Sequence, residues 1–282
     1  MNNTNVVLDE MVRGWISPPP VIFKQLQEAL KDPDLSFEKI EAILNSDHSL
    51  TVRLLKFVNS SFYTLDTKVK TITDALGVIG VKPLIEIALS MVMVQKFKAI
   101  LPGTLDMQSF WKHNIACGLA SRVIAQNLGR DNLEAFYTAG MLHDFGFLVI
   151  SQENPKKAQE IITRCKFDGL PQSQVEEETF GFTHAQVGAL IFKEWSLAPC
   201  LIEAVRYHHN PTQAENFPLE TAVLHVADYL VDNMKYTVGE NYTTLALDAT
   251  VLSMTGVTKG STVNIHRIVH AQLDEALENF TH

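Results

Sequence analysis

Apolar residues recur along this chain at intervals of three and four, with polar residues filling the positions between, from one end to the other. That spacing marks amphipathic helices, and no run of alternating residues bounded by hairpin turns interrupts it, so an all-α fold is expected. Ser17 ahead of Pro18-Pro19-Pro20 predicts an N-cap and first-turn prolines for a helix through VIFKQLQEAL. Ser36 starts FEKIEAIL, and Asp47 starts a segment with Leu50, Leu54, Leu55 and Val58 on one side. Thr71-Ile72-Thr73-Asp74 has the form of a capping box and opens DALGVIG. Pro83 opens LIEIALSMVMVQKF, apolar nearly all round and therefore expected to form the core of the N-terminal half.

The pattern breaks at Leu101-Pro102-Gly103. Beyond it, helices are expected over Gln108 to Leu128, over Asp131 to His143 with Glu134 three residues after the cap, after Asn154-Pro155, and after Pro171. Others follow over Thr183 to Trp195, Pro199 to His209, Pro218 to Met234, Thr243 to Met254 and Ser261 to Phe280. Short loops and the lack of a fixed repeat favour two packed helical lobes, 1–101 and 102–240, with 241–282 as a helical extension on them.

Composition narrows the class. With 282 residues, 46% hydrophobic and 20% charged, the chain can bury a large core and is neither disordered nor low-complexity. The stretch from Leu84 to Val94 is too short to cross a bilayer, and MNNTNVVLDEMVRG lacks the basic flank of a signal peptide, so neither a span nor a leader is expected. Cys117, Cys165 and Cys200 are odd in number, widely spaced and without a C-x-x-C pair. They indicate neither a disulfide framework nor a thiolate zinc site, and a reducing cytoplasm is the expected compartment. A net charge of -9 argues against nucleic acid as a partner.

The chemistry lies with ten histidines, whose placement matters more than their number. His113, His143-Asp144, His184, His208-His209 and Asp228 form one candidate group. Around His113, Ala116, Cys117, Gly118 and Ala120 make a thin helix side; Gly140 precedes Asp144 by one turn and Gly188 follows His184 by four residues. Glycine inside a helix costs about 1 kcal/mol relative to alanine, so close approach of a second backbone is expected at these places. Asp228 shares a helix face with His225, three residues earlier, which suits a ligand and its supporting partner. Imidazole with carboxylate, and no thiolate, suits one or two divalent transition ions: Fe, Mn, Zn or Ni. Two ions can share a carboxylate and activate water for phosphoester cleavage, and Asp144 is the natural bridge and the one candidate catalytic residue. His48, His225, His266 and His270, taken singly, read as structural; Glu176-Glu177-Glu178 reads as a solvated helix face, and Trp111 and Trp195 as packing.

The segments PPPVIFKQLQEAL, LTVRLLKFVNSSFY, ITDALGVIGVKPLIEIAL, FWKHNIA, AGMLHDFGFLVI, THAQVGALIFKEWSLAP and AVRYHHNP together resemble the HDOD family, the HD-related output domains of bacterial signalling. The resemblance covers roughly Ile16 to Met234. It implies an all-α fold with an N-terminal helical lobe packed on an HD-phosphohydrolase-like lobe. It also implies a regulatory role exercised through a signalling protein partner. The wider HD superfamily, with its HD-GYP branch, holds metal with residues matched here by His113, His143, Asp144, His184, His208, His209 and Asp228. Two departures set this chain apart from that branch. Phe147 stands where the branch has a lysine, and NPTQAENFP follows His208-His209 in place of Gly-Tyr-Pro. The leading expectation is therefore a signalling module with a retained metal site, or a vestigial site holding no metal. The alternatives are a metal-dependent phosphohydrolase on a nucleotide or small phosphoester, and a nucleotide sensor without turnover.

Overall fold

The computed structural model describes residues 8, 12–15, 18–97, 105–234, 247 and 249–281. The described residues form helices and connecting turns, without strands. None of the helices is long and apolar enough to cross a membrane. Ser17, the break at Leu101-Pro102-Gly103 and the helix start at Thr243 lie outside the described residues. The chain divides into two compact units.

One unit comprises Pro19–Lys98 and His270–His282. Its helices are α1 (Val21–Leu30), α2 (Phe37–Asn45), α3 (His48–Val58), α4 (Ile72–Ile79) and α5 (Val81–Lys96). The caps follow the sequence: Ser36 accepts from the Lys39 amide, Asp47 from the Leu50 amide, and Thr71 with Asp74 closes a capping box. Two starts differ from expectation. Pro20 is extended at φ -52, ψ 148 and precedes α1, so the prolines lead into the helix instead of forming its first turn. Helix α5 begins at Val81, directly after Gly80 at φ 89, two residues before Pro83. The proline sits inside the first turn, where its missing N–H has no intrahelical partner to lose. From Leu84 to Val94 all but Glu86 are buried, and α1, α3 and α4 pack on this helix.

The second unit, Met1–Pro18 and Ala99–Val269, holds α6 (Met107–Asn127), α7 (Leu133–Leu142), α8 (Phe145–Glu153), α9 (Pro155–Asp168) and α10 (Gln172–Phe180). It continues with α11 (His184–Glu194), α12 (Pro199–Tyr207), a short 3₁₀ turn at Pro211–Gln213, α13 (Pro218–Asn233) and α14 (Ala249–Thr255). A last helix, α15 (Lys259–Thr281), gives its residues up to Val269 to this unit and those from His270 to the other. The expected segment Asp131 to His143 starts later, at Leu133, with no side-chain cap on Asn132, and stops at Leu142. His143 and Asp144 form a turn, and the residues after it make the separate helix α8, which the continuous apolar pattern conceals. Helix α12 likewise ends at Tyr207, before His208.

Two glycine crossings surround that turn. At Gly140 an added Cβ would lie 2.5 Å from the Cys117 carbonyl oxygen, and at Gly118 one would lie 2.8 Å from the Tyr137 carbonyl oxygen, so α6 and α7 touch backbone to backbone. At Gly146 a Cβ would lie 2.0 Å from the His184 carbonyl oxygen and 2.6 Å from the Gly188 amide nitrogen, so α8 and α11 do the same. Gly146→Ala is therefore expected to destabilise the protein by about 1–3 kcal/mol or more, because backbone rather than a mobile side chain must give way. Gly77, on the exposed side of α4 with nothing within 4 Å of a Cβ, supplies the contrast. Gly77→Ala should stabilise by up to about 1 kcal/mol, and chemical denaturation of the two variants measures the difference.

Candidate metal centre

Each member of the candidate group sits on α6, on α13 or at a helix end within the second unit. His113 projects from the middle of α6 and Asp228 from α13. His143 caps the end of α7, and Asp144 precedes the first turn of α8, where a carboxylate meets the positive end of the helix dipole. His184 is the first residue of α11, set by the Thr183–Gln186 capping box. His208 and His209 follow α12.

The structure brings all seven side chains together. The His113 Nε2 is 3.2 Å from Asp228 Oδ1 and 3.6 Å from Asp144 Oδ2. Asp144 Oδ1 is 3.2 Å from the Nε2 atoms of both His143 and His184, so the two carboxylate oxygens face different imidazoles. His184 Nε2 in turn lies 3.1 Å from His209 Nε2 and 3.4 Å from His208 Nε2. His113, His143, His184 and His208 are buried, while Asp144 and Asp228 keep partial exposure.

Three residues that the sequence pattern did not single out complete the surroundings. Glu176 is 0% exposed rather than part of a solvated face. Its Oε2 accepts from the His184 amide at 2.8 Å and from His184 Nδ1 at 2.7 Å. Only its place at the buried edge of α10 separates it from Glu177 and Glu178, and three consecutive glutamates conceal that. Cys117, one turn beyond His113, puts its Sγ 3.5 Å from His113 Nε2 and 3.9 Å from Asp228 Oδ1. A sulfur donor thus stands among groups read as nitrogen and oxygen alone. Asp232, one turn beyond Asp228, lies 3.7 Å from His113 Nδ1; the spacing of four after Asp228 was the available signal.

Support from the backbone fixes the ring orientations. His143 Nδ1 donates to the Gly140 carbonyl and His208 Nδ1 to the Val205 carbonyl, each at 2.7 Å. His225 Nδ1 donates to the His208 carbonyl at 2.6 Å, so this histidine supports the group from behind. In a neutral ring with Nδ1 protonated, Nε2 carries a bare lone pair, and the Nε2 atoms of His143 and His208 face the other members of the group. Downstream, the Glu203 carboxylate accepts from the amides of Glu215, Asn216 and Phe217, tying the segment after His209 back to α12.

The electrostatics call for positive charge beside the carboxylates. Burial would raise both central carboxyls, yet the facing imidazoles hold Asp144 and Asp228 well below the usual carboxylate range. Against the desolvation that burial imposes, Glu176 and Asp144 lift His184 to about 10. In the same way Cys117 and Asp228 raise His113, and Asp144 raises His143. Burial, with the neighbouring imidazoles, pushes His208 well down and His209 down to about 3, leaving both as neutral donors. Two carboxylates with inward imidazole nitrogens fit a divalent ion, which replaces the protons that otherwise supply the positive charge. Among the described residues, three donor sets are compact enough to hold one: His113, Cys117, His143 and Asp228; His184, His208 and His209; and His143, Asp144 and His208.

Metal-free protein should show the Glu176 effect directly. A histidine raised in the folded state stabilises below its unfolded value near 6.5 and loses that contribution as pH climbs through about 10. His209, depressed to about 3, acts in the separate window below 6.5. Glu176→Gln is expected to bring His184 back toward its ordinary range and to flatten the alkaline decline in stability. Histidine NMR titration and pH-dependent denaturation would measure both, and a His184 titration left near 10 in the variant would contradict the assignment.

Known proteins similar to this chain can now be placed beside it. The HDOD domain family matches residues 16–211. A structure named "Putative phosphohydrolase", from Shewanella amazonensis SB2B, superposes with a TM-score of 0.78 at 22% identity, covering 97% of this chain and 98% of the other. An HDOD domain protein with unknown function from Geobacter sulfurreducens gives 0.70 at 22% identity, covering 98% and 95%. A structure named "Putative signal transduction protein", from Marinobacter aquaeolei VT8, gives 0.76 at 19% identity, covering 98% of this chain and 61% of that one. An uncharacterised Treponema pallidum protein is 25% identical over 187 residues, which is 66% of this chain and 36% of that protein. The chain thus spans well under half of that relative. At these identities the structures show a shared all-helical fold, and the family match covers most of the sequence: this chain belongs to the HDOD domain family.

Proposed function

We propose that the chain is a signalling module that hands a conformational state to a protein partner, with the buried His/Asp group holding one or two ions of Zn, Fe, Mn or Ni as part of its framework. The observation that carries this reading is Phe147. This residue sits in the first turn of α8, is buried, and meets the His184 ring in a T-shaped contact at 6.4 Å between centroids. A phenyl ring neither neutralises a phosphate nor donates a proton to a leaving group. The His113, His143 and Asp228 side chains would hold one ion, His184, His208 and His209 a second, and Asp144 would lie between them. A bound ion in such a group supplies Lewis acidity and holds its ligands' helices together. What the protein's own residues do is orient and desolvate: carbonyls fix the rings, Glu176 holds His184, and the glycine crossings hold α7 and α8 against their neighbours.

A second reading, a metal-dependent phosphohydrolase acting on a nucleotide or small phosphoester, is favoured by the division of the Asp144 oxygens between His113 on one side and His143 with His184 on the other. Nucleotide sensing without turnover would use the same partly open face of the two aspartates.

One experiment separates them. Protein purified without chelator should contain transition metal by elemental analysis. Metal removal should lower Tm and speed hydrogen exchange in α6, α7, α11 and α13, because a ligand that binds only the folded state at 100 times its Kd stabilises by about 2.7 kcal/mol. No member of a broad phosphoester and cyclic-nucleotide panel should turn over. Turnover abolished by Asp144→Ala would overturn the framework reading in favour of the hydrolase. Calorimetric heat with a nucleotide, without products, would favour the sensor.

A further inference from the structure

Resting on the metal-centre reading above, we infer that Cys117 is a metal ligand, so that the end of the centre bounded by α6 and α13 is a sulfur-containing site of the His₂CysAsp type and differs in chemistry from the all-imidazole end.

The distances carry the inference. A tetrahedral ion bound at about 2.0–2.1 Å by nitrogen or oxygen and about 2.3 Å by sulfur requires light donors about 3.3 Å apart and sulfur about 3.6 Å from each of them. His113 Nε2 is 3.4 Å from His143 Nε2 and 3.2 Å from Asp228 Oδ1, and His143 Nε2 is 3.5 Å from that same oxygen. The Cys117 Sγ lies 3.5 Å from His113 Nε2 and 3.9 Å from Asp228 Oδ1. All four donor atoms lie within 4.8 Å of one another. The five measured edges thus lie within about 0.3 Å of the tetrahedron's, and the longest of them, 3.9 Å, runs from sulfur.

Placement on the fold supports the same assignment. His113 and Cys117 are four residues apart on α6, the separation that puts two side chains on one helix face. The Cys117 backbone is pinned where Gly140 crosses it, so its side chain direction is set by the same contact that places His143 three residues after that glycine. Cys117 is fully buried, unlike a surface thiol free to react with solvent oxidants.

Thiolate among two imidazoles and a carboxylate selects for softer ions, Zn²⁺, Co²⁺ or Cd²⁺, over Mn²⁺ and Mg²⁺, whereas the His184, His208 and His209 end has no such preference for sulfur-seeking metals.

Cobalt titration of reduced apo-protein tests this by absorption, independently of any catalysis. The expected result is visible ligand-field bands together with a near-ultraviolet sulfur-to-cobalt charge-transfer band. In Cys117→Ser the charge-transfer band should vanish while ligand-field absorption persists, and Cd²⁺ affinity should fall at least about tenfold with Mn²⁺ affinity nearly unchanged. Should that variant not fold, the double variant Cys165→Ala/Cys200→Ser leaves Cys117 as the one thiol, and the band must survive in it. Ligand-field bands without charge transfer in the wild type, or a charge-transfer band that outlasts Cys117→Ser, would overturn the thiolate assignment while leaving the metal centre standing. Absence of cobalt uptake altogether would overturn the metal-centre reading, and with it this one.

Discussion

Backbone-to-backbone contact at two glycine crossings is the constraint on which the candidate site depends. Gly140 against Cys117 and Gly146 against His184 and Gly188 lie on either side of His143-Asp144, three residues before the histidine and two after the aspartate. The turn is thereby held between α6, which carries His113, and α11, which begins with His184. No other residue type allows such approach, since a single Cβ at either place would overlap carbonyl oxygen or amide nitrogen. The intrinsic helix penalty of glycine, about 1 kcal/mol each, is offset by this packing and by the buried apolar surface that the contact permits.

Electrostatics then acts on a framework already set. Two carboxylates and five imidazoles enclosed by helices would repel or desolvate one another badly without positive charge to share. The protein deals with the imbalance by specialisation: His113, His143 and His184 face acids, while His208 and His209 face other imidazoles and stay neutral. Glu176 extends the pattern outward by fixing the far nitrogen of His184, and the Gly140 and Val205 carbonyls do the same for His143 and His208 without adding charge. Ring orientation and charge are thus controlled by different groups, a common division of labour around metal ligands.

Much of this was legible from residue order. The capping residues Ser36, Asp47, Thr71 and Thr183 do what their types predict, because cap chemistry is local and needs no tertiary information. Gly118, Gly140 and Gly188 were legible as close-approach points because an interior glycine has a cost that packing must offset. The helix end at His143 was legible to within one residue, but α8 beyond it was not: FGFLVISQE is apolar over most of its length and shows no clear helical stripe. Glu176 and Cys117 were missed for another reason. Their significance comes from α10 meeting the start of α11, and from a sulfur facing a carboxylate on α13, 111 residues away in sequence. Neither relation has a local signature.

Glu203 closes the segment after His209 into a bounded turn. By gathering the amides of Glu215, Asn216 and Phe217 it closes that segment at its far end, while α12 closes it at the near end beside the histidines. The stretch from Pro211 to Ala214 is consequently a bracketed span, anchored at both feet. Its 3₁₀ turn, Pro211–Gln213, packs on both α12 and α13. The turn that follows the two histidines is therefore held from both ends by the same helix, α12, through its last residue on one side and through Glu203 on the other.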